Sequence, residues 1–366
     1  MIAKLILSAV SDKGESMMRR LVMSLCAAVF ASGAAMAQDD AGDWAIVLHG
    51  GAGVIERGDM DSETEAAYRD ALDAAIRLGG EMLAEGASAM DVVEAVIHTL
   101  EDDPKFNAGR GAVFTSAGRN ELDSSIMRGS DMQAGAAAGV TTVRHPISLA
   151  RAVLENSPHV MLQSEGAEQF AADQNLELVD NSYFFTERRW ASMVRKVRQL
   201  GLPIPPRPEG APEAEPVREG ALDLMEREHA FGTVGVVARD ASGEIVAGTS
   251  TGGTTAKRWG RVGDSPIIGA GTYATPQCGV SATGTGEYFI RLNVAARICT
   301  YIDAGQAPDA ALDAVIMQDL TAMGGDGGVV ILAEDGPHWA FNTAGMYRAS
   351  WTPDSAPVVS IFGDED

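Results

Sequence analysis

The chain has 366 residues, 46% of them apolar, enough for one large packed domain or two ordinary ones. Twenty-eight basic against fifty-one acidic residues give a formal charge of −23, which favours solubility and argues against a broad nucleic-acid surface or an anionic membrane as partner.

The first recognisable element lies near the N-terminus. Arg19 and Arg20 precede an apolar run through Phe30, and Ala31-Ser-Gly-Ala-Ala-Met-Ala37 closes it with small residues. A basic patch, a run of roughly ten apolar residues and a small-x-small ending make a secretory signal, with cleavage expected after Ala37. The run is shorter than the roughly 20 residues a membrane span needs, so no membrane association is expected once the signal is removed. Residues 1–16 precede the Met that opens this signal and read as an over-extended start. The destination is periplasmic or secreted. Cys26 leaves with the signal, and Cys278 and Cys299 remain. Two cysteines do not make a disulfide framework; they read as small buried residues, and their pairing stays open. No histidine, at 49, 98, 145, 159, 229 or 338, lies in an HxH, HExxH or CxxC setting, which argues against a catalytic zinc.

Residues 44–48 form a short apolar run, read as a buried strand that opens into a tight loop at His49-Gly-Gly-Ala-Gly53. A helix follows from about Ser62, with Tyr68, Leu72, Ala75 and Ile76 on one face. Ser88-x-x-Asp91 caps a second helix carrying Val92, Val93, Val96, Ile97 and Leu100. Between 201 and 221 six prolines and no periodicity predict an exposed linker. Immediately after it, Thr233 to Arg239 and Glu244 to Ser250 alternate around Asp240-Ala-Ser-Gly243, which predicts a hairpin. A helix is expected from about Gly286 to Ala304, ending at Gly305, and strands at 328–333 and 338–342. Strands beside helices predict sheets with helices on their outer faces.

Four segments carry candidate chemistry. A cut between Gly232 and Thr233 would put a hydroxyl and an α-amine in one residue. The amine titrates near pH 8, a suitable base for its own hydroxyl. Gly232, without a Cβ, permits the backbone strain such a cut needs. Taken alone, the dipeptide reads far more readily as the start of an ordinary strand. Thr249-Ser-Thr-Gly-Gly-Thr-Thr255 ends the hairpin's second strand, so Thr251 falls beside Thr233 and can orient its hydroxyl, or it is simply a polar turn. Arg261 and Asp264 suit the carboxylate and ammonium of an amino acid, unless they form an ordinary loop ion pair. Thr283-Gly-Thr-Gly286 leads into a helix and suits an oxyanion; with neither GKS/GKT nor GxGxxG it does not suit a nucleotide.

Together these segments resemble the plant-type asparaginase and isoaspartyl peptidase family of N-terminal nucleophile hydrolases. The resemblance rests on His49-Gly-Gly-Ala-Gly, Phe106-Asn-Ala-Gly-Arg-Gly, Glu121-Leu-Asp-Ser-Ser-Ile-Met, Gly232-Thr-Val-Gly, Thr249-Ser-Thr-Gly-Gly, Gly260-Arg-Val-Gly-Asp-Ser-Pro, Thr283-Gly-Thr-Gly-Glu and Phe341-Asn-Thr-Ala-Gly-Met-Tyr-Arg, in order along the mature chain. It implies an α+β fold, a four-layer αββα sandwich, in which a precursor cuts itself between Gly232 and Thr233. The products are an α chain over 38–232 and a β chain over 233–366, sharing one domain and assembled as a dimer of αβ units. It implies that Thr233 attacks the side-chain amide of L-asparagine or the β-linked bond of a β-aspartyl dipeptide, with Thr251 in support. Thr283 and Gly284 hold the oxyanion, Arg261 clamps the α-carboxylate, Asp264 and Gly286 hold the amino end, and Asn107 steadies the active-site loop. No cofactor is implied for catalysis. A structural sodium ion is implied on backbone carbonyls of Leu100, Glu101, Asp103, Phe106, Ala108 and Arg110, where Arg110 is bulkier than expected; oxygen ligands suit such a hard cation. Glycosylasparaginase, of the same superfamily, is the nearest alternative, and Gly-Thr-Val-Gly at the cut favours the asparaginase branch. A non-catalytic periplasmic amino-acid-binding protein is the alternative from another class.

Overall fold

Alternating side chains along the strands set the layers of this protein. In the computed structural model, which describes residues 43–53, 55–212 and 232–365, Val236 and Ala238 face one hydrophobic cluster while Val237 between them faces another. Likewise Val329 and Ile331 face helices, and Val330 and Leu332 face the opposite sheet. A strand apolar on both faces has to be covered on both, so each sheet is packed between a helical layer and the other sheet. The result is the expected α+β sandwich of four layers.

The elements run in chain order as β1 (Ala45–Gly53), α1 (Ser62–Ala84), α2 (Ala89–Asp102), β2 (Leu122–Arg128), β3 (Ala134–Val140), α3 (Pro146–Asn156), β4 (Met161–Gln163), α4 (Ser164–Asp173) and α5 (Glu187–Gln199). Then come β5 (Val234–Arg239), β6 (Ile245–Thr251), β7 (Thr272–Ala274), β8 (Gly279–Gly284), α6 (Gly286–Leu292), α7 (Val294–Asp303), α8 (Pro308–Leu312), β9 (Gly327–Ala333), β10 (Gly336–Phe341), β11 (Gly345–Trp351) and β12 (Val358–Phe362). Among the described residues the strands form an eight-stranded sheet, ordered β12-β11-β1-β5-β6-β2-β3-β4, and a four-stranded one, ordered β10-β9-β8-β7. Helices α1 and α2 cover the outer face of the large sheet, burying Tyr68, Leu72, Ile76, Val93 and Ile97 against Ile46, Leu48 and Val236. On the small sheet, Phe289, Val294 and Ile298 from α6 and α7 meet Val280, Val329 and Ile331.

The predicted hairpin is present, with Val234 opposite Ser250 and Arg239 opposite Ile245. The capped second helix is also present, since the Ser88 side chain accepts from the Asp91 peptide N–H. Elsewhere the structure differs from the sequence expectations. The glycines after His49 do not leave the sheet: β1 continues to Gly53, with an irregularity between His49 and Gly51 that absorbs them against β11. The single helix expected over 286–304 is broken at Asn293, whose φ of 53° ends α6 in the left-handed region. Cys278 and Cys299 are both buried, as expected, and joined in a disulfide that ties the residue just before β8 to α7, their Cα atoms 5.4 Å apart.

Part of the Pro-rich segment is also held. Arg207 pairs with Glu187 and lies 4.5 Å from the centre of the Phe185 ring, and Leu202 and Ala211 pack on the Phe114, Phe185 and Trp190 cluster. Residues 213–221 of that segment, and the whole signal region with its cleavage after Ala37, lie outside the described residues. Among the described residues no helix is long and apolar enough to cross a membrane.

Candidate active site

Strand β5 runs in the centre of the large sheet, between β1 and β6, and Thr233 immediately precedes it. Antiparallel pairing brings the start of β5 beside the end of β6, so the hydroxyls of Thr233 and Thr251 stand 2.9 Å apart in a buried setting. Thr251 Oγ1 also accepts the Gly253 N–H at 3.0 Å, which fixes its orientation.

Asn107 reaches both sides of this pair. Its peptide N–H donates to the Gly232 carbonyl at 2.8 Å, and its own carbonyl accepts the Gly252 N–H at 3.0 Å. Its side chain donates to the Gly253 carbonyl at 2.7 Å and accepts the Val113 N–H at 2.9 Å. A Cβ on Gly232 would sit 2.6 Å from the Asn107 Cβ, so this approach requires glycine. The carbonyl of the Gly232–Thr233 bond is therefore polarised by one donor while a threonine hydroxyl lies next to it. Asn107 does more than steady a loop.

Arg261 and Asp264, expected to hold an amino acid's two charged ends, lie beyond Gly253. A Cβ at that glycine would lie 3.5 Å from Arg261 Nη1, which places the guanidinium against the turn that follows Thr251. Asp264 Oδ1 lies 2.7 Å from where a Gly286 Cβ would stand, so the absence of that Cβ opens the space in front of the carboxyl. Asp264 is buried, its Oδ2 has no partner among the described residues, and desolvation raises its pKa to about 7. A buried carboxyl with a free oxygen suits an incoming ammonium group. The Arg261–Asp264 loop ion pair weighed from sequence does not form as a direct contact. Arg261 instead pairs through Nε and Nη2 with Glu287, both at 2.9 Å, leaving Nη1 outside that pair. Hydrogen bonding to Arg261 holds the Glu287 carboxyl below its ordinary range. Glu287 stands in the quoted Thr283-Gly-Thr-Gly-Glu motif, but no role was read for it.

Thr283 and Gly284 end β8 in the small sheet. The Thr283 hydroxyl is buried without a partner among the described residues, as expected of a donor awaiting an oxyanion. Thr283 shares a strand face with Ser281, two residues earlier, and Ser281 Oγ bonds His49 at 3.0 Å. His49 Nδ1 in turn lies 3.1 Å from the Thr233 carbonyl oxygen. Neither His49 nor Ser281 was given a role from the sequence. The quoted His-Gly-Gly-Ala-Gly motif was the only signal pointing to the histidine.

The loop from Leu100 to Arg110 tests the expected cation site. A Cβ on Gly109, whose φ is +46°, would lie 2.3 Å from the Glu101 carbonyl oxygen, and one on Gly111 would lie 1.9 Å from that of Phe106. The two glycines let the chain curl tightly over these carbonyls. The carbonyls of Asp103 and Ala108 each accept one peptide N–H, from Phe106 and Gly111, which leaves each a second lone pair. Arg110 is exposed, so its bulk stays out of the loop and only its carbonyl is in question. The residues present fit a hard cation.

A buried threonine pair beside a hydrogen-bonded Gly–Thr carbonyl, between the two sheets of an αββα sandwich, is the setting of an amidohydrolase. Comparison with known proteins agrees. The family model described as asparaginase matches residues 42–361, and the chain belongs to this family. The chain is 42% identical over 323 residues to the isoaspartyl peptidase of Escherichia coli, covering 87% of this chain and 96% of that protein. It is 39% identical over 308 residues to the plant-type L-asparaginase of Pyrococcus furiosus, covering 83% and 95%. To the isoaspartyl peptidase/L-asparaginase of Homo sapiens it is 34% identical over 313 residues, covering 85% and 91%.

Proposed function

We propose that the chain is the precursor of an isoaspartyl peptidase and L-asparaginase that activates itself by cutting between Gly232 and Thr233. The observation that carries this reading is the 2.9 Å contact between the Thr233 and Thr251 hydroxyls, next to a Gly232 carbonyl held at 2.8 Å by the Asn107 N–H. In the cut, Thr233 Oγ1 attacks the Gly232 carbonyl carbon. The C–N bond breaks, an ester forms on Oγ1, and the nitrogen is released as an amine. Water then hydrolyses the ester, leaving a carboxylate on Gly232 and a free hydroxyl on Thr233.

In the mature enzyme the α-amine of Thr233, with an ordinary pKa near 8, takes the proton from Oγ1 as that oxygen attacks the side-chain carbonyl of the substrate. The Thr283 hydroxyl and Gly284 stabilise the oxyanion. Arg261 receives the α-carboxylate, and Asp264 with Gly286 receives the α-ammonium. The protonated amine then delivers its proton to the leaving nitrogen. Ammonia departs from L-asparagine, and an amino acid departs from a β-aspartyl dipeptide. Water hydrolyses the β-aspartyl ester and L-aspartate leaves.

The carbonyls of Leu100, Glu101, Asp103, Phe106, Ala108 and Arg110 would hold a sodium ion, which takes no part in bond making and steadies the loop that presents Asn107. Export, with removal of residues 1–37, is supported by the signal pattern and by the Cys278–Cys299 disulfide, because such bonds persist in oxidising compartments. A dimer of αβ units is the assembly this reading expects.

Intact-protein mass spectrometry of the purified protein beside Thr233→Ala tests the precursor step. Two chains from the wild type, the smaller starting at Thr233, and one from the variant support it. Two whole chains under the same incubation sink it and favour a binding protein. Side-by-side assays on L-asparagine, β-Asp-Leu and N-acetylglucosaminyl-asparagine test the substrate class, and activity on the glycan alone would replace it.

A further inference from the structure

The reaction as described leaves His49 without a role, yet it is fully buried and bonded at both ring nitrogens. Burial without a charged partner brings its pKa down to about 3, so the ring is neutral and carries one N–H. A carbonyl oxygen only accepts, so that hydrogen sits on Nδ1 and points at the Thr233 carbonyl. Nε2 must then accept, which makes the Ser281 hydroxyl a donor.

From Ser281 the polarity propagates. Having given its hydrogen to the ring, Ser281 Oγ accepts from Thr249 Oγ1 at 2.7 Å, a shorter contact than the 3.2 Å from Thr249 to the Gly271 carbonyl. Thr249 in turn accepts from Thr272 at 2.6 Å, and Ser125 Oγ lies 2.7 Å from Thr272 Oγ1. Ser125 gives its one hydrogen to the carbonyl of Ser265, the residue after Asp264, at 2.6 Å, so the run of donated hydrogen bonds ends at Thr272. His49, Ser281, Thr249, Thr272 and Ser125 are all 0% exposed, and they come from β1, β8, β6, β7 and β2. The chain of hydroxyls crosses between the two sheets from the nucleophile to the loop of the amino-acid clamp. Gly235 makes room for it: a Cβ there would stand 1.8 Å from Ser281 Oγ and 2.4 Å from His49 Nε2.

This arrangement matters because of where the chain is cut. Ladder pairing of β5 starts at Val234 on the β6 side and at Gly235 on the β1 side, so Thr233 lies outside both ladders. In the precursor it is tethered from two directions. After cleavage it is a chain terminus, and termini fray unless tied down.

We propose that His49 is a positioning residue for the nucleophile: together with the buried Ser281–Thr249–Thr272 chain it pins the Thr233 carbonyl, and so holds Oγ1 in place once the Gly232–Thr233 bond is gone. The inference rests on the threonine-nucleophile reading. It differs from a general structural role in where it acts, since the histidine matters to the mature enzyme more than to the cut.

The test compares wild type, His49→Phe and His49→Asn, whose side-chain amide can donate from near the Nδ1 position. Self-cleavage is followed by intact mass, and kcat and KM are measured on β-Asp-Leu. Phe should leave the two-chain pattern intact and KM within about twofold, while kcat falls about tenfold to a hundredfold, the scale of a slightly misplaced nucleophile; Asn should recover part of it. Normal kcat in His49→Phe would overturn the proposal, as would a rise in KM with kcat unchanged. Ser281→Ala and Thr249→Val carry the same test if His49→Phe does not fold: each removes one link and should lower kcat, and unchanged kcat in both overturns it. A wild type that cuts itself but turns over neither β-Asp-Leu nor L-asparagine refutes the substrate reading instead.

Discussion

The Thr233 and Thr251 hydroxyls lie 2.9 Å apart at the adjoining ends of two antiparallel strands. Pairing of Val234 with Ser250 brings the two residues together, although Thr233 itself lies just outside the ladder. Thr251→Val preserves the shape and removes the hydroxyl. The expected result is a fall in kcat of about 10²-fold with KM nearly unchanged, measured on L-asparagine with fully cleaved protein.

In the proposed reaction the two carbonyls that Thr233 would attack in turn are assigned to different donors. That of Gly232 is held by the Asn107 N–H, whereas the substrate's is assigned to Thr283 and Gly284. Thr283→Val should therefore still cut itself while losing about 10²–10³-fold in kcat. Gly232→Ala should do the reverse at the first step, because its Cβ would lie 2.6 Å from that of Asn107 and slow the cut. Gel time courses of both precursors separate the two effects, and equal slowing in both would refute separate donors.

Burial raises Asp264 to about 7 in the free enzyme. Below that pH the carboxyl is neutral and cannot pair with an ammonium group. The expectation is that below 7 kcat/KM for L-asparagine falls by about a further tenfold per pH unit beyond the fall due to protonation of the Thr233 amine. Succinamic acid, which is L-asparagine without its α-amine, isolates this effect. Its pH profile should lack the Asp264 limb, and identical profiles would remove Asp264 from the ammonium site.

The Cys278–Cys299 bond closes a loop with a sequence separation of 21. Loss of that cross-link should cost about 3 kcal/mol through the freedom returned to the unfolded chain. Urea unfolding of the uncut Thr233→Ala protein, with and without Cys299→Ala, measures it free of the chain break. A mass gain of about two hydrogens on reduction reports the bond itself.

Helices over 62–84 and 89–102, the hairpin after residue 232, and the nucleophile with its neighbour were legible because each follows from local rules. Apolar periodicity places the helix faces, Ser88 supplies its own cap, and antiparallel pairing fixes which threonine meets Thr233. Some unread elements have a pattern that is not amphipathic. Strand β3, Ala-Gly-Ala-Ala-Ala-Gly-Val, is composed of small residues that let α3 approach: a Cβ on Gly135 would meet the Ala150 carbonyl oxygen at 2.0 Å. The break at Asn293 escaped because the apolar stripe runs on through it.

By itself the sequence determined the fold class and that Thr233 and Thr251 stand together, since these rest on patterns within short segments and on blocks kept in order. Only the tertiary structure decided which groups meet. It paired Arg261 with Glu287 rather than with Asp264, left polar atoms of Asp264 and Thr283 without a partner among the described residues, joined Cys278 to Cys299, and brought His49 to the Thr233 carbonyl across 184 positions of chain. Hydrogen bonds and disulfides depend on separations of a few ångström, and in this protein those separations are set by two sheets packed face to face.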